Sequence, residues 1–142
     1  MPATKLNNHI EKRVDREREK FRLVERKTVT TKYNINNIGG DVVKDNETYV
    51  LTDNKTLKNL VLSQTQLHAG QQTRGHRHPG QEEVYIFVSG SGLMIVGDET
   101  DAAFEVSAGD IVLIPDGAFH RVINNTESDF IFNCVFDGKR NH

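Results

Sequence analysis

Three histidines and one glutamate have the residue types and the spacing of a metal centre. His76 and His78 are separated by one residue, Glu83 follows shortly after them, and His120 lies further along the chain. Three imidazole nitrogens and a carboxylate oxygen form a ligand set that suits divalent transition metals. The four residues therefore predict one metal ion per chain, with zinc, iron, manganese and nickel as candidates.

Neighbouring strands are expected to bring these four side chains to one cavity. Residues i and i+2 of a strand face the same side, so His76 and His78 point one way and Arg77 the other. A Pro-Gly turn folds the chain back so that Glu83 opens the next strand, and a Pro-Asp-Gly turn precedes His120. Such a metal keeps one or two open positions, where it can bind substrate, polarise a carbonyl or lower the pKa of water.

Composition predicts one globular domain and excludes several classes of protein. The chain has 142 residues, 36% hydrophobic and 27% charged, and no apolar run approaches the roughly 18 residues that span a bilayer. No secretory signal is visible, so the cytoplasm is the expected location. Cys134 is the only cysteine, which excludes an internal disulfide. The net charge of −2 argues against nucleic acid as a partner.

Short β-runs separated by glycine-containing turns dominate the chain, which indicates a β-sandwich or barrel. They are Val29–Ile35, Thr48–Thr52, Asn59–Leu67, Arg74–His78, Glu83–Val88, Leu93–Val96, Ala103–Val106, Ile111–Ile114, His120–Ile123 and Phe130–Phe136. Residues 51–142 are assigned to the barrel domain, and residues 1–50 to an N-terminal extension that is partly helical or extended. In that extension Ile10, Val14, Phe21 and Val24 form a thin helical stripe that needs a surface to pack on.

The two histidine-bearing stretches resemble the two sequence motifs of the cupin superfamily. The matching positions are Gly70, His76, His78, Glu83 and Gly90 in the first motif, and Gly109, Pro115, Gly117, His120 and Asn124 in the second. The resemblance covers about residues 58–136, with 18 residues between the motifs. It implies an all-β, antiparallel jelly-roll barrel, a small single-domain cupin with metal on His76, His78, Glu83 and His120. It also implies a homodimer. The N-terminal extension is a candidate to pack on the partner, because its thin apolar stripe needs a surface.

Two positions next to the motif glutamate carry alternatives. Glu82 and Glu83 are adjacent, and the six residues between the glutamate and Gly90 select Glu83, with Glu82 on the outer face. Tyr85 shares the face of Glu83 by strand parity, so its phenol either acts as an acid or base near the metal or simply lines the barrel. The lining role is favoured. Tyr85 and Glu83 are nevertheless the nearest candidates for catalytic proton transfer.

Other polar residues of the predicted strands have two interpretations each. Gln64 and Gln66 either line the cavity, where they could hydrogen-bond a hydroxylated ligand, or face water. Arg74 and Arg121 lie near the predicted barrel mouth and either meet an anionic substrate or face solvent.

We therefore expect a metal-binding cupin, most simply a metal-dependent enzyme that acts on a small polar metabolite. Isomerisation or epimerisation of a sugar or sugar phosphate is the favoured reaction. The alternatives are a non-catalytic module that binds a small ligand, and an iron-dependent dioxygenase or a lyase. A small molecule is the expected partner besides a second copy of the chain, with neither nucleic acid nor membrane involved.

Overall fold

The computed structural model of the chain describes residues 31–139, and the helix predicted in the N-terminal extension lies outside this range. All regular elements in the described range are β-strands. They are β1 (Asp41–Asp45), β2 (Tyr49–Asn54), β3 (Leu60–Leu67), β4 (Glu83–Ser89), β5 (Ser91–Gly97), β6 (Phe104–Ser107), β7 (Ile111–Ile114), β8 (Phe119–Ile123) and β9 (Phe130–Asp137).

The strands form two antiparallel sheets that enclose one hydrophobic core. The larger sheet has the order β1-β2-β3-β9-β4-β7, and the smaller has the order β6-β5-β8. In β3, buried residues alternate strictly with residues that are half-buried or exposed, because one face of the strand packs inward. Side chains from both sheets meet in the core, among them Phe87, Phe132, Met94 and Val122. This arrangement confirms the all-β, jelly-roll class.

The register of the larger sheet sets the inner-face neighbours of the predicted site. Glu83 pairs with Phe136 on one side and with Ile114 on the other. One step along β4, Tyr85 pairs with Cys134 in β9. Glu83 and Tyr85 therefore lie on the same inward face, two residues apart, as strand parity predicts.

Three details of the predicted strands differ from the structure. Arg74–His78 contains one isolated bridge, at His76, and the described part of Val29–Ile35 contains one bridge at Asn34. β1 was not predicted, because its sequence DVVKD is exposed along its whole length and lacks alternation. β1 falls within residues 1–50, while the compact unit that holds all nine strands begins at Asn34.

Candidate metal centre

The fold brings the four predicted ligands together at one end of β4. His76 and His78 lie in the segment between β3 and β4, Glu83 is the first residue of β4, and His120 is the second residue of β8. One ligand atom from each residue can be chosen so that all four atoms lie within 4.8 Å of one another. The imidazole rings contact each other as well, with centroids 4.3 Å apart for His76 and His78 and 4.5 Å apart for His76 and His120.

These separations fit a single divalent ion. Metal bonds to histidine nitrogen and carboxylate oxygen are about 2.0–2.2 Å long, so two ligands on opposite sides of an ion are about 4.2 Å apart. A cluster whose widest separation is at most 4.8 Å closes on such an ion with movements of a few tenths of an ångström.

The orientation of His120 favours a cation between it and Glu83. The Nδ1 atom of His120 lies 3.1 Å from the carbonyl oxygen of Ala118, which can only accept a hydrogen bond, so Nδ1 carries the proton. In the neutral ring Nε2 is then an acceptor, yet it lies 3.1 Å from Oε2 of the Glu83 carboxylate. A proton or a metal ion at this position resolves the contact between two acceptors. A hydrogen bond from the distal ring nitrogen is also how metal-binding histidines are generally oriented.

Burial divides the four residues into a deep pair and an accessible pair. Glu83 is 5% exposed and His120 is 2% exposed. His78 is half-buried and His76 is exposed. The open side of the centre therefore lies toward residues 68–82 between β3 and β4, which we call the histidine-bearing segment. A small ligand would approach from there.

Glu83, and not its neighbour Glu82, belongs to the cluster. Glu83 is buried on the inner face of β4, whereas Glu82 is exposed and precedes the strand. The structure therefore agrees with the spacing to Gly90 that selected Glu83 from the sequence.

Tyr85 packs beside the centre on the inner face of the barrel. It is 7% exposed, its ring stacks on Phe132 with centroids 5.3 Å apart, and it meets the edge of the His120 ring at 5.7 Å. These contacts place the tyrosine ring in the core next to a predicted ligand. They are compatible with both predicted roles, since a lining ring and an acid or base would occupy the same position.

The other polar residues singled out in the sequence lie away from the cavity. Gln64 and Gln66 occupy the half-buried positions of β3, opposite in phase to its buried inner residues, and they bond Asn133 at 2.9 Å and Asp129 at 2.6 Å respectively. Neither lines the barrel. Arg121 directs its guanidinium to backbone carbonyls of the histidine-bearing segment.

Asp53 is a buried acid outside the site residues predicted from the sequence. It is 3% exposed and alternates in β2 with the core residue Leu51, which places it on the inward face. Its cross-strand neighbour Ser63 is also buried. The alternation of Leu51 and Asp53 in the sequence was the available signal, but the short β-run was predicted to end at Thr52.

One surface acid has a perturbed pKa outside the centre. The hydrogen bond from Gln66, together with His68 at 3.4 Å, holds the pKa of Asp129 below its usual value of 3.8, although partial burial opposes this shift. Hydrogen bonds to the charged form favour that form. Asp129 precedes β9, so this interaction ties the start of β9 to the end of β3.

A separate depression of about 490 Å³ opens at the start of β5 and is lined by Leu93, Glu105 and Asp110 among others. His120 pairs with Val96 near the other end of β5, three residues from Leu93 and so roughly 10 Å away at about 3.3 Å per residue. The depression is therefore distinct from the histidine cluster.

Family comparison agrees with the fold. A family model described as Cupin domain matches residues 64–136, which is just over half of the chain. The chain belongs to the cupin family.

Two solved structures illustrate the shared fold. An uncharacterized conserved protein from Klebsiella pneumoniae, described by its double-stranded β-helix domain, has a TM-score of 0.64 at 21% identity, over 76% of this chain and 90% of that chain. A structure of Bacillus subtilis oxalate decarboxylase, studied for its Mn(II) centres, has a TM-score of 0.61 at 21% identity, over 72% of this chain and 29% of that chain. At this level of identity the likeness concerns the fold.

A curated relative matches over a shorter stretch. An uncharacterized protein of Methanocaldococcus jannaschii is 35% identical over 63 residues, which are 44% of this chain and 48% of the relative. The match thus spans about half the length of that relative. Within residues 31–139, no helix has the length and apolar character needed to cross a membrane.

Proposed function

We propose that this cupin is a metal-dependent enzyme that acts on a small polar metabolite. The observation that carries the proposal is the contact between His120 and Glu83. Nε2 of His120 lies 3.1 Å from the glutamate oxygen, while Nδ1 is committed to the carbonyl of Ala118. A divalent cation satisfies both acceptors, and His76 and His78 complete its ligands.

The favoured reaction is isomerisation or epimerisation of a sugar or sugar phosphate. A divalent ion bound here would supply a Lewis acid that polarises a substrate carbonyl. His76 and His78 form the accessible side of the cluster, so the substrate would bind across them with its carbonyl and hydroxyl oxygens directed inward. Glu83 and His120 are buried and hold the deep side in place.

Proton transfer would fall to Tyr85 or Glu83. Tyr85 is the nearer candidate outside the ligand set, because its ring meets His120 at 5.7 Å from the inner face of β4. Replacing Tyr85 with Phe keeps the ring and its stacking on Phe132. A catalytic phenol therefore predicts that Tyr85→Phe loses turnover by roughly 100-fold or more with metal binding unchanged, whereas a lining residue predicts near-parental turnover.

A lyase is the second candidate, and the fold likeness to oxalate decarboxylase favours it. The environment of the cluster weighs against a small anionic substrate. Arg77 and Arg121, which lie next to predicted ligands in the chain, both direct their guanidinium groups to backbone carbonyls. A neutral, hydroxylated substrate suits this arrangement better. An iron-dependent dioxygenase and a non-catalytic binding module are the remaining alternatives.

The test begins with the metal content of protein purified without chelator or nickel-affinity resin. We expect about one divalent metal per chain in the parent and almost none in His120→Ala, because metal affinity requires the assembled ligands. His68→Ala is the matched control, since His68 pairs with Asp129 outside the cluster. Full occupancy in His120→Ala, or a parent that takes up no zinc or manganese on titration, contradicts the proposal.

The metal-loaded protein then separates the reaction classes. Interconversion of aldose and ketose sugars or their phosphates supports the isomerase. Release of carbon dioxide from small dicarboxylates supports the lyase, and metal-dependent oxygen uptake supports the dioxygenase. Tight binding of a sugar without turnover would support the binding module and would overturn the enzyme.

A further inference from the structure

A β-bulge lies immediately before the first predicted metal ligand. Upstream, the histidine-bearing segment pairs regularly with β8, since Gln72 lies opposite Ile123 and the amide of Thr73 donates to Val122 at 2.9 Å. His76 and His120 then exchange two backbone hydrogen bonds of 3.2 and 3.1 Å. Regular pairing from Gln72 onward would set Gly75 opposite His120, so the segment holds one extra residue.

This extra residue decides which side chains face the centre. In antiparallel pairing, residues directly opposite share a face, and a slip of one residue moves a side chain to the other face. Without the bulge Gly75 would share the face of His120, and His76 and His78 would point away. With it, both histidines face His120 and Glu83. Bulges near functional sites re-aim side chains in this way.

Arg121 bonds two backbone carbonyls at the bulge, and regular pairing would direct one of them, that of Thr73, to β8. Its Nε donates to the carbonyl of Thr73 at 3.2 Å, and a terminal nitrogen donates to the carbonyl of Arg74 at 2.5 Å. The amide of Val122, which regular pairing would direct to that Thr73 carbonyl, donates instead to the Thr73 hydroxyl at 3.0 Å. Hydrogen bonds from a charged donor are about twice as strong as neutral ones, so Arg121 stabilises the irregular backbone.

Arg77 ties the same segment to the smaller sheet from the face opposite the histidines. Its guanidinium donates to the carbonyls of Gly97 and Gly117 at 3.4 and 3.3 Å and pairs with Asp98 at 2.9 Å. Arg77 and Arg121 also lie against the Phe119 ring, 5.8 and 5.3 Å from its centroid. Such cation–π contacts add to the hydrogen bonds.

We propose that Arg121, assisted by Arg77, is a positioning residue for the histidine cluster. Arg121 holds the bulge that turns His76 and His78 toward Glu83 and His120, and it does so through backbone carbonyls without contacting the metal or substrate itself. The consequence for metal affinity rests on the proposed function. The role of Arg121 in holding the backbone of the bulge is independent of the proposed function.

Arg121→Ala and Arg74→Ala are the variants to compare. Both remove one arginine from the same region, but only Arg121 uses its side chain to bond the bulge, while Arg74 is exposed and contributes its carbonyl. In the metal-free protein, hydrogen exchange is measured at the amides of His76 and His120. Their exchange rates report the two backbone hydrogen bonds beside the bulge. We expect both amides to exchange at least about tenfold faster in Arg121→Ala and at the parental rate in Arg74→Ala. Equal rates in the two variants overturn the proposal.

Metal binding supplies the second readout, with zinc or manganese titrated against a competing chelator. We expect Arg121→Ala to bind the ion about 10- to 100-fold more weakly, the range found when groups that orient metal ligands are removed. Arg121→Lys, which keeps the charge but can reach fewer carbonyls, should recover part of the affinity. Parental affinity in Arg121→Ala overturns the positioning role. A parent that binds neither ion contradicts the proposed function instead, and amide exchange alone then decides whether Arg121 holds the bulge.

Discussion

At the scale of single residues, the contact between His120 and Glu83 is the central feature of the molecule. Both side chains are buried, and hydrogen bonding to Ala118 leaves Nε2 of His120 directed at a carboxylate oxygen. The contact is unfavourable between two acceptors and favourable across a cation. The same pair therefore needs a proton or a metal ion between its two atoms, and it supplies two ligands in the metal-bound protein.

Glu83→Gln separates these two effects. The amide can donate to Nε2 of His120, so we expect the thermal midpoint of the metal-free protein to stay at or above the parental value. Zinc at 100 times the Kd of the parent raises its free energy of unfolding by about 2.7 kcal/mol, and this gain should nearly vanish in the variant. Thermal unfolding with and without zinc measures both, and Glu82→Gln is the exposed control. A variant that keeps the full metal-dependent gain would remove Glu83 from the ligand set.

Asp129 predicts a pH dependence of stability. Its pKa in the folded protein is lowered, chiefly by the hydrogen bond from Gln66 and further by His68. Asp129 therefore stabilises the folded state above its unfolded pKa near 3.8, and this contribution disappears as pH falls through the lower folded value. We expect Asp129→Asn to lower the urea midpoint at pH 7 and to flatten its decline below about pH 4. Glu127→Gln, an exposed acid nearby, should leave the parental profile unchanged.

At the scale of elements, the bulge before His76 depends on a glycine. Gly75 has a φ of +81°, and a Cβ there would lie 2.5 Å from Cζ of Phe119. Gly80, in the following turn, has a φ of +83°, and nothing lies within 4 Å of the position a Cβ would take. A side chain at either position would therefore be strained by the left-handed backbone. Only at Gly75 would it also collide with Phe119.

Gly75→Ala should be clearly more destabilising than Gly80→Ala. The left-handed backbone alone costs about 1–2 kcal/mol for a residue with a Cβ, which sets the expectation for Gly80→Ala. Overpacking adds roughly 1–3 kcal/mol at Gly75. Chemical denaturation of both variants gives the comparison. Equal losses would show that Phe119 moves aside freely and that the bulge is less tightly packed than the structure indicates.

At the scale of the whole molecule, the outer face of the larger sheet carries a row of apolar side chains. Leu62, Val135, Val84 and Leu113 are cross-strand neighbours in four consecutive strands. Leu113 is 69% exposed and its neighbour in β7, Ile111, is 65% exposed. β7 is also an edge strand, which proteins normally cover or protect.

A second copy of the chain is the occupant that we predict for this face, in keeping with the expected homodimer. The row carries no charge, so a two-fold related copy would meet no like charge along it. We expect the parent to be a dimer and Leu113→Lys to be a monomer, with metal binding intact in both. Leu57→Lys is the control, since Leu57 is 64% exposed but lies outside the strands. Light scattering at micromolar concentration measures the result, and a monomeric parent would refute the prediction.

The fold and the identity of the clustered side chains were accessible from the sequence because both depend on local rules. Alternating apolar residues predicted β3, β4, β7, β8 and β9 within a residue or two, and the spacing to Gly90 selected Glu83 over Glu82. β1 was not predicted because an exposed edge strand needs no alternation of apolar residues. Local patterns report which face of a strand is buried, and little else.

The orientation of the arginines and glutamines was decided by tertiary structure. Gln64 and Gln66 bond residues of β9 and its approach on the outer face, and Arg121 bonds carbonyls 47 and 48 positions earlier in the chain. The bulge at Gly75 is likewise set by pairing with β8 and by packing against Phe119. The sequence by itself determined the ligand types and the strand period. Long-range hydrogen bonds and packing decided how a non-regular segment turns His76 and His78 inward, because no local rule specifies a partner so distant in the chain.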